Sequence, residues 1–434
     1  MKACGGLGLG VVLALLAASA SAAETETAAP AAAAASVVEA DPVLARIERH
    51  IDTVLAVEAT PALAYVLIRD GAVVVANARG VTDTVSLNPV DGSTAFRLAS
   101  VSKGFASTLL ALLEAEGYVA WNDRVNDLLP GLKLADPVAT RELTLEQLLS
   151  HRTGLPHHTL DVKVEGNASL ETLIEALDTV RPACAVGQCY AYQNVIYSLG
   201  ADIAHYAVGN LFEVELQRRV FIPLGMNDAT VGRDALMQSP SWARPHVRKR
   251  NQWSPVEPKP TYYRLPAAAG VNASAEDLAQ WMRAQLGEFP EVLPPEVLET
   301  VHSPQVDTPY ETQAPRWRRE RLRSASYALG WRIFDYAGES MVFHAGAVQG
   351  FRAMVGLIPE RRFGFALLWN SDSGIPGGIF PNIVDAELGL PDADWLDEGK
   401  LLAQIEARQK RHPPGHAQRA PGTQSATRGA AGKP

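Results

Sequence analysis

Apolar and polar positions divide the chain into segments whose element types can be predicted. Two apolar runs over residues 62–69 and 72–77, rich in β-branched residues, are joined by an Asp-Gly pair, which favours a tight β-hairpin. Apolar runs over 351–358 and 363–370 indicate a second strand pair near the C-terminus. Because strands fall at both ends with helical spacing between them, we predict one sheet assembled from both terminal segments, with a mainly helical insertion.

Helical apolar spacing is clearest between these strand regions. It predicts a helix over residues 101–116, closed by Gly117 as a C-cap. Residues 234–265 show little periodicity and much polarity, which predicts a long loop or lid. Further helices are predicted over residues 44–57, 144–150, 195–204, 275–286 and 378–387.

The N-terminal segment has the pattern of a secretory leader. Lys2 precedes an apolar stretch over residues 6–16, and small residues at 20–22 resemble a cleavage site. We predict a signal peptide over residues 1–22 and an exported protein, periplasmic or secreted, with no stable membrane insertion after cleavage. The alternative, a membrane anchor, needs about 20 apolar residues. The alanine-rich segment 23–41 is predicted to be a flexible spacer.

The remainder is predicted to form one folded domain over residues 42–395 and a largely disordered tail over 396–434. After Glu406 the tail has basic residues and no acidic ones. The net charge of −9 argues against nucleic acid as a partner. A hydrophobic content of 47% is typical of an ordinary globular protein.

Two of the three cysteines, Cys184 and Cys189, lie outside the predicted leader and close a short loop. In an oxidising compartment such a pair predicts a disulfide. Two free thiols are the alternative, since spacing alone does not fix the distance between them. A zinc site needs more ligands than this pair offers, and we predict neither a metal site nor a cofactor.

Ser100 and Lys103 are the strongest candidates for nucleophilic chemistry. They place a serine at the N-terminus of the helix predicted over residues 101–116 and a lysine one turn further on. There a neutral amine can take the serine proton, the helix dipole favours developing negative charge, and unpaired N–H groups can hold an oxyanion. A capping serine beside a solvated lysine is the alternative that this stretch leaves open.

Two further motifs follow in order: Tyr-x-Asn at residues 192–194 and His-Ala-Gly at 344–346. We find no G-x-S-x-G elbow, HExxH helix or Walker loop, which removes the motif evidence for several rival chemistries. Together with Ser-x-x-Lys at 100–103, these motifs make the chain resemble the class C β-lactamase and serine DD-peptidase superfamily, which includes related esterases and D-aminopeptidases. The resemblance covers about residues 42–390 and implies an α+β fold, with an antiparallel sheet flanked by helices.

The resemblance implies a role for each motif residue. Ser100 is the acylated nucleophile and Lys103 its amine partner. Tyr192 is a second proton-transfer group, which requires a cationic neighbour, here Lys103, to lower its pKa. Asn194 binds Lys103 and the substrate amide. The backbone N–H groups of Ser100 and Val348 form the oxyanion hole.

The third motif departs from the commonest pattern of the superfamily, Lys-Thr-Gly, because it reads His344-Ala345-Gly346. We place His344 and Gly346 at the substrate-binding side. The missing hydroxyl at Ala345 argues against strong β-lactamase activity. Since histidine loses its charge near neutrality, we predict that binding of anionic substrates weakens as the pH rises through the titration of His344.

Other charged residues, and histidines of the kind that can bind metals, are not assigned a catalytic role. His151, His157 and His158 are interpreted as structural or surface residues, because no carboxylate was expected near them. The arginine-rich run 316–323 is interpreted as a solvated face, with a substrate-facing basic rim as the alternative.

The sequence therefore predicts an exported serine hydrolase that cleaves an amide, a β-lactam or an ester through a Ser100 acyl-enzyme. The partner is a small-molecule or peptidoglycan-derived substrate. The alternatives are a non-turnover penicillin- or peptidoglycan-binding or sensor protein, and a carboxylesterase of the same fold. Pocket loops decide among these substrates, so the motifs do not separate them.

Overall fold

The computed structural model describes residues 41–411 of the 434-residue chain. The chain divides into two compact units, residues 1–45 and 46–434, and of the first only residues 41–45 are described. The predicted signal peptide, and the predicted spacer up to residue 40, therefore lie outside the described residues. Between residues 41 and 411, no helix has the length and apolar character needed to cross a membrane.

Antiparallel strands form the centre of the molecule. In chain order the strands are β1 (Ala62–Arg69), β2 (Ala72–Gly80), β3 (Phe96–Arg97), β4 (Thr230–Val231), β5 (His246–Lys249), β6 (Gln252–Pro255), β7 (Val271–Ala273), β8 (Val306–Asp307), β9 (Leu322–Tyr327), β10 (Arg332–Tyr336), β11 (Glu339–Val348), β12 (Phe351–Ile358) and β13 (Phe363–Trp369). The main sheet has eight strands in the order β2-β1-β13-β12-β11-β10-β9-β8, and its neighbours pair antiparallel.

The pairing of β1 with β13 joins the N-terminal hairpin to the C-terminal strands. This confirms the prediction of one sheet built from both ends of the chain. The hairpin turn is formed by Asp70 and Gly71, whose φ angles of 52° and 74° are left-handed. Such a turn matches the right-handed twist of the strands that it joins.

Helices cover the sheet and account for most of the regular secondary structure between β3 and β8. They are α1 (Pro42–Ala56), α2 (Ser102–Ala115), α3 (Val125–Leu128), α4 (Pro137–Glu142), α5 (Leu145–Leu149), α6 (Asp161–Glu165), α7 (Leu170–Glu175), α8 (Leu199–Val208), α9 (Phe212–Leu216), α10 (Ile222–Leu224), α11 (Arg233–Gln238), α12 (Pro266–Ala269), α13 (Ala275–Gln285), α14 (Pro295–His302), α15 (Arg316–Arg321), α16 (Ile379–Glu387) and α17 (Glu398–Arg411). The α+β architecture agrees with the predicted fold class.

The segment 234–265 is not a structureless loop, so that prediction was wrong. It contains most of α11 and the β5–β6 hairpin, whose turn is formed by Arg250 and Asn251 in left-handed conformations. The hairpin is fixed to the main sheet, because the side chain of His246 is buried and hydrogen-bonds the backbone oxygen of Asn370 at 3.1 Å. Its strands are largely exposed and polar, so they show little hydrophobic pattern.

The first part of the predicted disordered tail is also ordered. Residues 398–411 form α17, and the carboxylate of Asp394 accepts hydrogen bonds from the backbone N–H of Glu398 at its start. This segment is rich in strong helix formers, and Leu401 anchors it by being buried. Residues 412–434 lie outside the described part of the chain, and disorder there stays a prediction.

Two glycines allow α2 and the sheet to approach closely. A Cβ atom at Gly104 in α2 would lie 2.5 Å from the indole of Trp331, which precedes β10. A Cβ atom at Gly346 in β11 would lie 2.1 Å from the backbone oxygen of Leu98 and 3.1 Å from the nitrogen of Ser100. Neither position has room for a side chain, so β11 lies directly against the start of α2.

Candidate active site

Ser100 lies in a short 3-10 helix of one turn, Ala99–Val101, immediately before α2. Its side chain is partly exposed and lines a cavity of about 570 Å³. The preceding residue, Ala99, has a φ of 48°, a left-handed conformation that is uncommon outside glycine and that costs energy. Strain of this kind beside a cavity-facing serine is typical of a residue held in a fixed position for chemistry.

Lys103 is completely buried at the first turn of α2. Its Nζ donates hydrogen bonds to Oδ1 of Asn194 at 2.8 Å and to the backbone oxygen of Ala268 at 3.1 Å. Burial lowers the pKa of Lys103 well below its ordinary value. A neutral amine has two hydrogens and one lone pair, and the two hydrogens are used here. In the neutral amine, which this shift favours, the lone pair is therefore not used by these two bonds, and Ser100 lies three residues earlier in the chain.

Tyr192 packs its ring against the lysine, with Nζ of Lys103 4.7 Å from the ring centroid. Its buried hydroxyl has no hydrogen-bond partner of normal geometry among the described residues. Burial raises the pKa of Tyr192 to about 12, and Arg332 and Ser100 offset this only partly. The prediction that Lys103 lowers this pKa was therefore wrong: the cation that lowers it is Arg332, and the loss of water outweighs that charge, so the net pKa is raised.

Asn194 connects the buried lysine to an acidic group on the cavity wall. Its Nδ2 donates to Oδ2 of Asp161 at 2.8 Å, and the same oxygen contacts Nδ1 of His158 at 2.9 Å. All three side chains line the cavity. His158 thus has a carboxylate partner, contrary to our expectation, and Asp161 is a site residue that the sequence motifs did not reveal.

His344 is buried and does not face the cavity. Its Nδ1 hydrogen-bonds the backbone oxygen of Ala345 at 2.9 Å, and its Nε2 accepts from Nη1 of Arg332 at 3.1 Å. Burial, and then the charge of Arg332, lower the pKa of His344 well below its ordinary value. The predicted titration of His344 near neutrality is therefore contradicted, since a histidine in this environment stays uncharged.

Tyr327 joins His344 to a second buried histidine. Its hydroxyl lies 3.1 Å from Nε2 of His151 and 3.3 Å from Nε2 of His344. Because Nδ1 of His151 accepts the backbone N–H of Gln193 at 3.2 Å, its Nε2 carries the proton and donates to Tyr327. The tyrosine proton is then directed at His344. These hydrogen bonds fix His151 and His344, both neutral, beside the residues that line the cavity.

Arg332, in β10, supplies the positive charge near the third motif. Its Nε donates to Oε1 of Glu311 at 3.2 Å, and Arg318 binds the other carboxylate oxygen. The Arg332 guanidinium carbon lies 5.2 Å from the centroid of the Tyr192 ring. Nothing in the local sequence marks Arg332 or Glu311, because β10 reaches the site only through sheet pairing.

The register of β11 decides which backbone amides face Ser100. Val348 and Phe351 flank a two-residue turn and pair with each other, so they exchange their N–H and C=O bonds. Bonding direction alternates along a strand, so the N–H of Ala347 points away from β12. On that side β10 pairs with β11 only as far as residue 343, which leaves the edge open towards the site. The register therefore argues against Val348 as the oxyanion donor and favours Ala347.

The structure pairs Cys184 with Cys189, just before Tyr190. The backbone N–H of Ala183 donates to the backbone oxygen of Gly154 at 2.8 Å, which attaches this loop to the segment after α5. The loop thus leads the chain from α7 into the Tyr192 motif along a fixed path.

The arginine-rich run is divided among different environments, so the expectation of a solvated face holds only for Arg316, Arg319 and Arg323, which are exposed. Arg316 and Trp317 line the cavity, which agrees in part with the alternative of a substrate-facing rim. Arg318 binds Glu311, and Arg321 forms a 2.8 Å ion pair with Asp385. Because α15 packs over the sheet, only part of its surface faces solvent.

Comparison with known proteins places the whole arrangement in one family. The pattern that defines the β-lactamase family matches residues 47–390. An unguisins hydrolase, UngD, of Aspergillus violaceofuscus (strain CBS 115571) is 25% identical over 361 residues, covering 76% of this chain and 63% of its own length. The chain thus spans less than two thirds of that relative. Penicillin-binding protein 4 of Amycolatopsis lactamdurans is 26% identical, covering 68% of this chain and 76% of its own.

Solved structures show the same fold. The octameric penicillin-binding protein homologue from Pyrococcus abyssi superimposes with a TM-score of 0.71 at 22% identity, covering 81% of this chain and 78% of its own. A D-stereospecific amidohydrolase from a Streptomyces species gives 0.61 at 20% identity, covering 78% of this chain and 98% of its own. With the family pattern matched over 47–390, the chain belongs to the β-lactamase family.

Proposed function

We propose that this protein hydrolyses an amide, β-lactam or ester through an acyl-enzyme on Ser100. The observation that carries the proposal is the buried Lys103, whose two hydrogen bonds to Asn194 and Ala268 leave a lone pair for the serine proton. A solvated lysine has no such lone pair at neutral pH, because it stays protonated. The name of one relative, an unguisins hydrolase, supports hydrolysis, and the name of a solved neighbour, a D-stereospecific amidohydrolase, supports an amide substrate.

In acylation, the Ser100 oxygen attacks the substrate carbonyl carbon while its proton passes to Lys103. The carbonyl electron pair moves to the oxygen, and the N–H groups of Ser100 and Ala347 stabilise that oxyanion. The intermediate then collapses, and the leaving nitrogen or oxygen departs with the proton now on Lys103. The Tyr192 hydroxyl, protonated at neutral pH, relays this proton, accepting one from the lysine as it donates its own.

Deacylation repeats the sequence with water as the nucleophile. Lys103 again takes a proton, water adds to the acyl carbon, and the proton returns to Ser100 as the product acid leaves. Asn194 holds the lysine in place and presents its remaining N–H to the cavity. We assign a positioning role to His344, Tyr327 and Arg332, because none of them lines the cavity.

Turnover distinguishes this proposal from an acylated but inert penicillin-binding or sensor protein. Purified protein is assayed in parallel on a chromogenic cephalosporin, a D-Ala-D-Ala peptide and a nitrophenyl ester. Continuous product release on any substrate supports the hydrolase. A single stoichiometric burst on each, with Ser100 labelled, supports the binding protein.

We also propose that the protein is exported and that Cys184 and Cys189 form a disulfide in the exported form. The leader pattern over residues 1–22 and the pairing of the two cysteines support this. Intact mass of native protein under non-reducing alkylation tests it. Two alkylated thiols in the exported protein contradict it.

A further inference from the structure

The cavity at Ser100 extends across the sheet and away from the serine. Along its floor Ala347, Arg352 and Trp369 lie opposite one another on β11, β12 and β13. Two strand spacings separate the first from the last, so the floor runs about 10 Å from the strand beside Ser100. A small acyl group on the serine leaves most of this length empty.

The far end of the cavity is aromatic. Trp317, Met354, Trp369 and Trp395 line it, and we name these four residues the tryptophan pocket. Three of the eight tryptophans in the chain therefore line this one cavity. Their side chains come from α15, β13 and the segment before α17, with Met354 from β12, so the pocket exists only in the folded protein.

Hydrogen bonds fix two of the indole rings and occupy their polar atoms. Nε1 of Trp369 donates to the backbone oxygen of Ser373 at 2.8 Å. Nε1 of Trp395 donates to Oδ2 of Asp385 at 2.8 Å. The guanidinium carbons of Arg316 and Arg321 lie 5.1 and 5.0 Å from the centroid of the Trp395 ring, so the carbon surface left for an occupant is chiefly that of Trp369 and Met354. That surface favours an apolar group with a flat face.

We infer that the tryptophan pocket binds an aromatic group of the substrate, joined to the scissile carbonyl through a spacer that spans the cavity floor. This inference rests on the proposed function, since it places the reacting carbonyl at Ser100. The substrate class is therefore an arylalkyl amide or ester, and not a short-chain acyl compound.

Gly377 offers a direct way to fill the pocket. A Cβ atom there would lie 3.5 Å from Sδ of Met354 and 3.6 Å from Trp369, which is ordinary contact. Gly377→Leu should therefore place its branched end among the aromatic rings. Gly399→Leu is the matched control, because a Cβ atom at Gly399 has no atom within 4 Å.

The test compares kcat/KM for methyl 4-phenylbutyrate against methyl butyrate, and for 4-phenylbutyl acetate against butyl acetate. We expect the phenyl compound to be preferred by about tenfold or more in one pair, which also shows on which side of the carbonyl the pocket lies. Gly377→Leu should remove the preference and Gly399→Leu should keep it. No phenyl preference in either pair, or an equal loss in both variants, overturns the inference.

A second variant covers the case in which Gly377→Leu fails to fold. Met354→Ala enlarges the pocket, so the preference for naphthyl over phenyl in the favoured pair should rise. A ratio unchanged from wild type counts against the pocket.

Binding without turnover separates this inference from the proposed function. In Ser100→Ala protein, calorimetry should show tighter binding of neutral 4-phenylbutan-1-ol than of butan-1-ol, and Gly377→Leu should abolish the difference. If the esters are not hydrolysed but the phenyl alcohol still binds more tightly than butan-1-ol, the proposed function is wrong and the aromatic binding site is supported. If the esters are hydrolysed and the difference is absent, the aromatic site fails alone.

Discussion

The guanidinium of Arg332 donates to Nε2 of His344 across 3.1 Å; the histidine is buried and the arginine side chain is 13% exposed. An uncharged imidazole therefore occupies the motif position where the superfamily commonly has lysine, and the permanent cation comes from the neighbouring strand. Its charge is shared with Glu311, so it does not depend on pH in the range where histidine normally titrates.

The first prediction concerns substrate charge. The pKa of His344 is lowered well below 6.5, so it carries no proton to lose between pH 5.5 and 8. The ratio of kcat/KM for a carboxylate-bearing substrate to that for a matched neutral ester should be flat over this range. A ratio that falls as the pH rises through about 6.5 would show that a titrating histidine interacts with the charge of the substrate.

The second prediction concerns the buried carboxylate of Glu311. Burial alone raises its pKa, but Arg332 and Arg318 outweigh this, and the net pKa is lowered. Its stabilising effect is therefore present above the unfolded pKa and is lost as the pH falls through the folded value. Glu311→Gln removes the carboxylate that pairs with Arg318 and Arg332, whose side chains are only 11% and 13% exposed, and should cost about 3 kcal/mol of unfolding free energy at pH 7.

The pH series and a surface control complete this test. Denaturant titrations should show the difference between wild type and Glu311→Gln shrinking as the pH falls below about 4. Glu320→Gln removes a partner of the exposed Arg316 and should have no measurable effect. An unchanged stability for Glu311→Gln at pH 7 would contradict the role given to the pair.

The third prediction concerns Lys103. Acylation needs the neutral amine, and burial lowers its pKa. The kcat/KM for a neutral ester should rise with pH and level off, with a midpoint below 10.5. Lys103→Arg cannot lose its proton and should reduce kcat/KM by about 100-fold or more. Lys133→Arg, at an exposed position, should leave both the profile and the rate unchanged. A wild-type profile that still rises at pH 10.5 is the contrary result.

The fourth prediction concerns the Tyr192 hydroxyl. It has no hydrogen-bond partner of normal geometry among the described residues, so Tyr192→Phe removes only its interaction with the Ser100 side chain and keeps the ring packing. Thermal stability should stay the same while kcat falls by about 100-fold or more. Tyr190→Phe removes a similarly buried and unpartnered hydroxyl and should leave kcat unchanged. Equal effects of the two substitutions would assign both hydroxyls a structural role.

Much of the fold followed from local pattern. The Asp-Gly hairpin, the helices predicted over 144–150 and 275–286, and the buried pair β12–β13 are specified by neighbouring residues, and the structure has their ends within three positions. Polar edge segments such as β5 and β6 were missed, because their order comes from contacts with the sheet and not from their own hydrophobic pattern.

The site was predictable only where it lies in a motif. Ser100, Lys103 and Asn194 come together as expected. Arg332 and Asp161 come from segments with no motif of their own, so no local signal marks them. The charge state of a titratable group was the property hardest to predict from the sequence. Burial decides the pKa of Tyr192 and His344, and burial depends on the complete fold.

The most direct measurement of the central claim is the mass of the covalent adduct formed with a fluorophosphonate, located by peptide mapping. Ser102→Ala is the matched control, because Ser102 lies two residues away and its hydroxyl accepts the backbone N–H of Val271. Wild type and Ser102→Ala should each carry one adduct, on Ser100, and Ser100→Ala should carry none and hydrolyse no ester. An adduct on another residue, or ester turnover that survives in Ser100→Ala, would contradict the account.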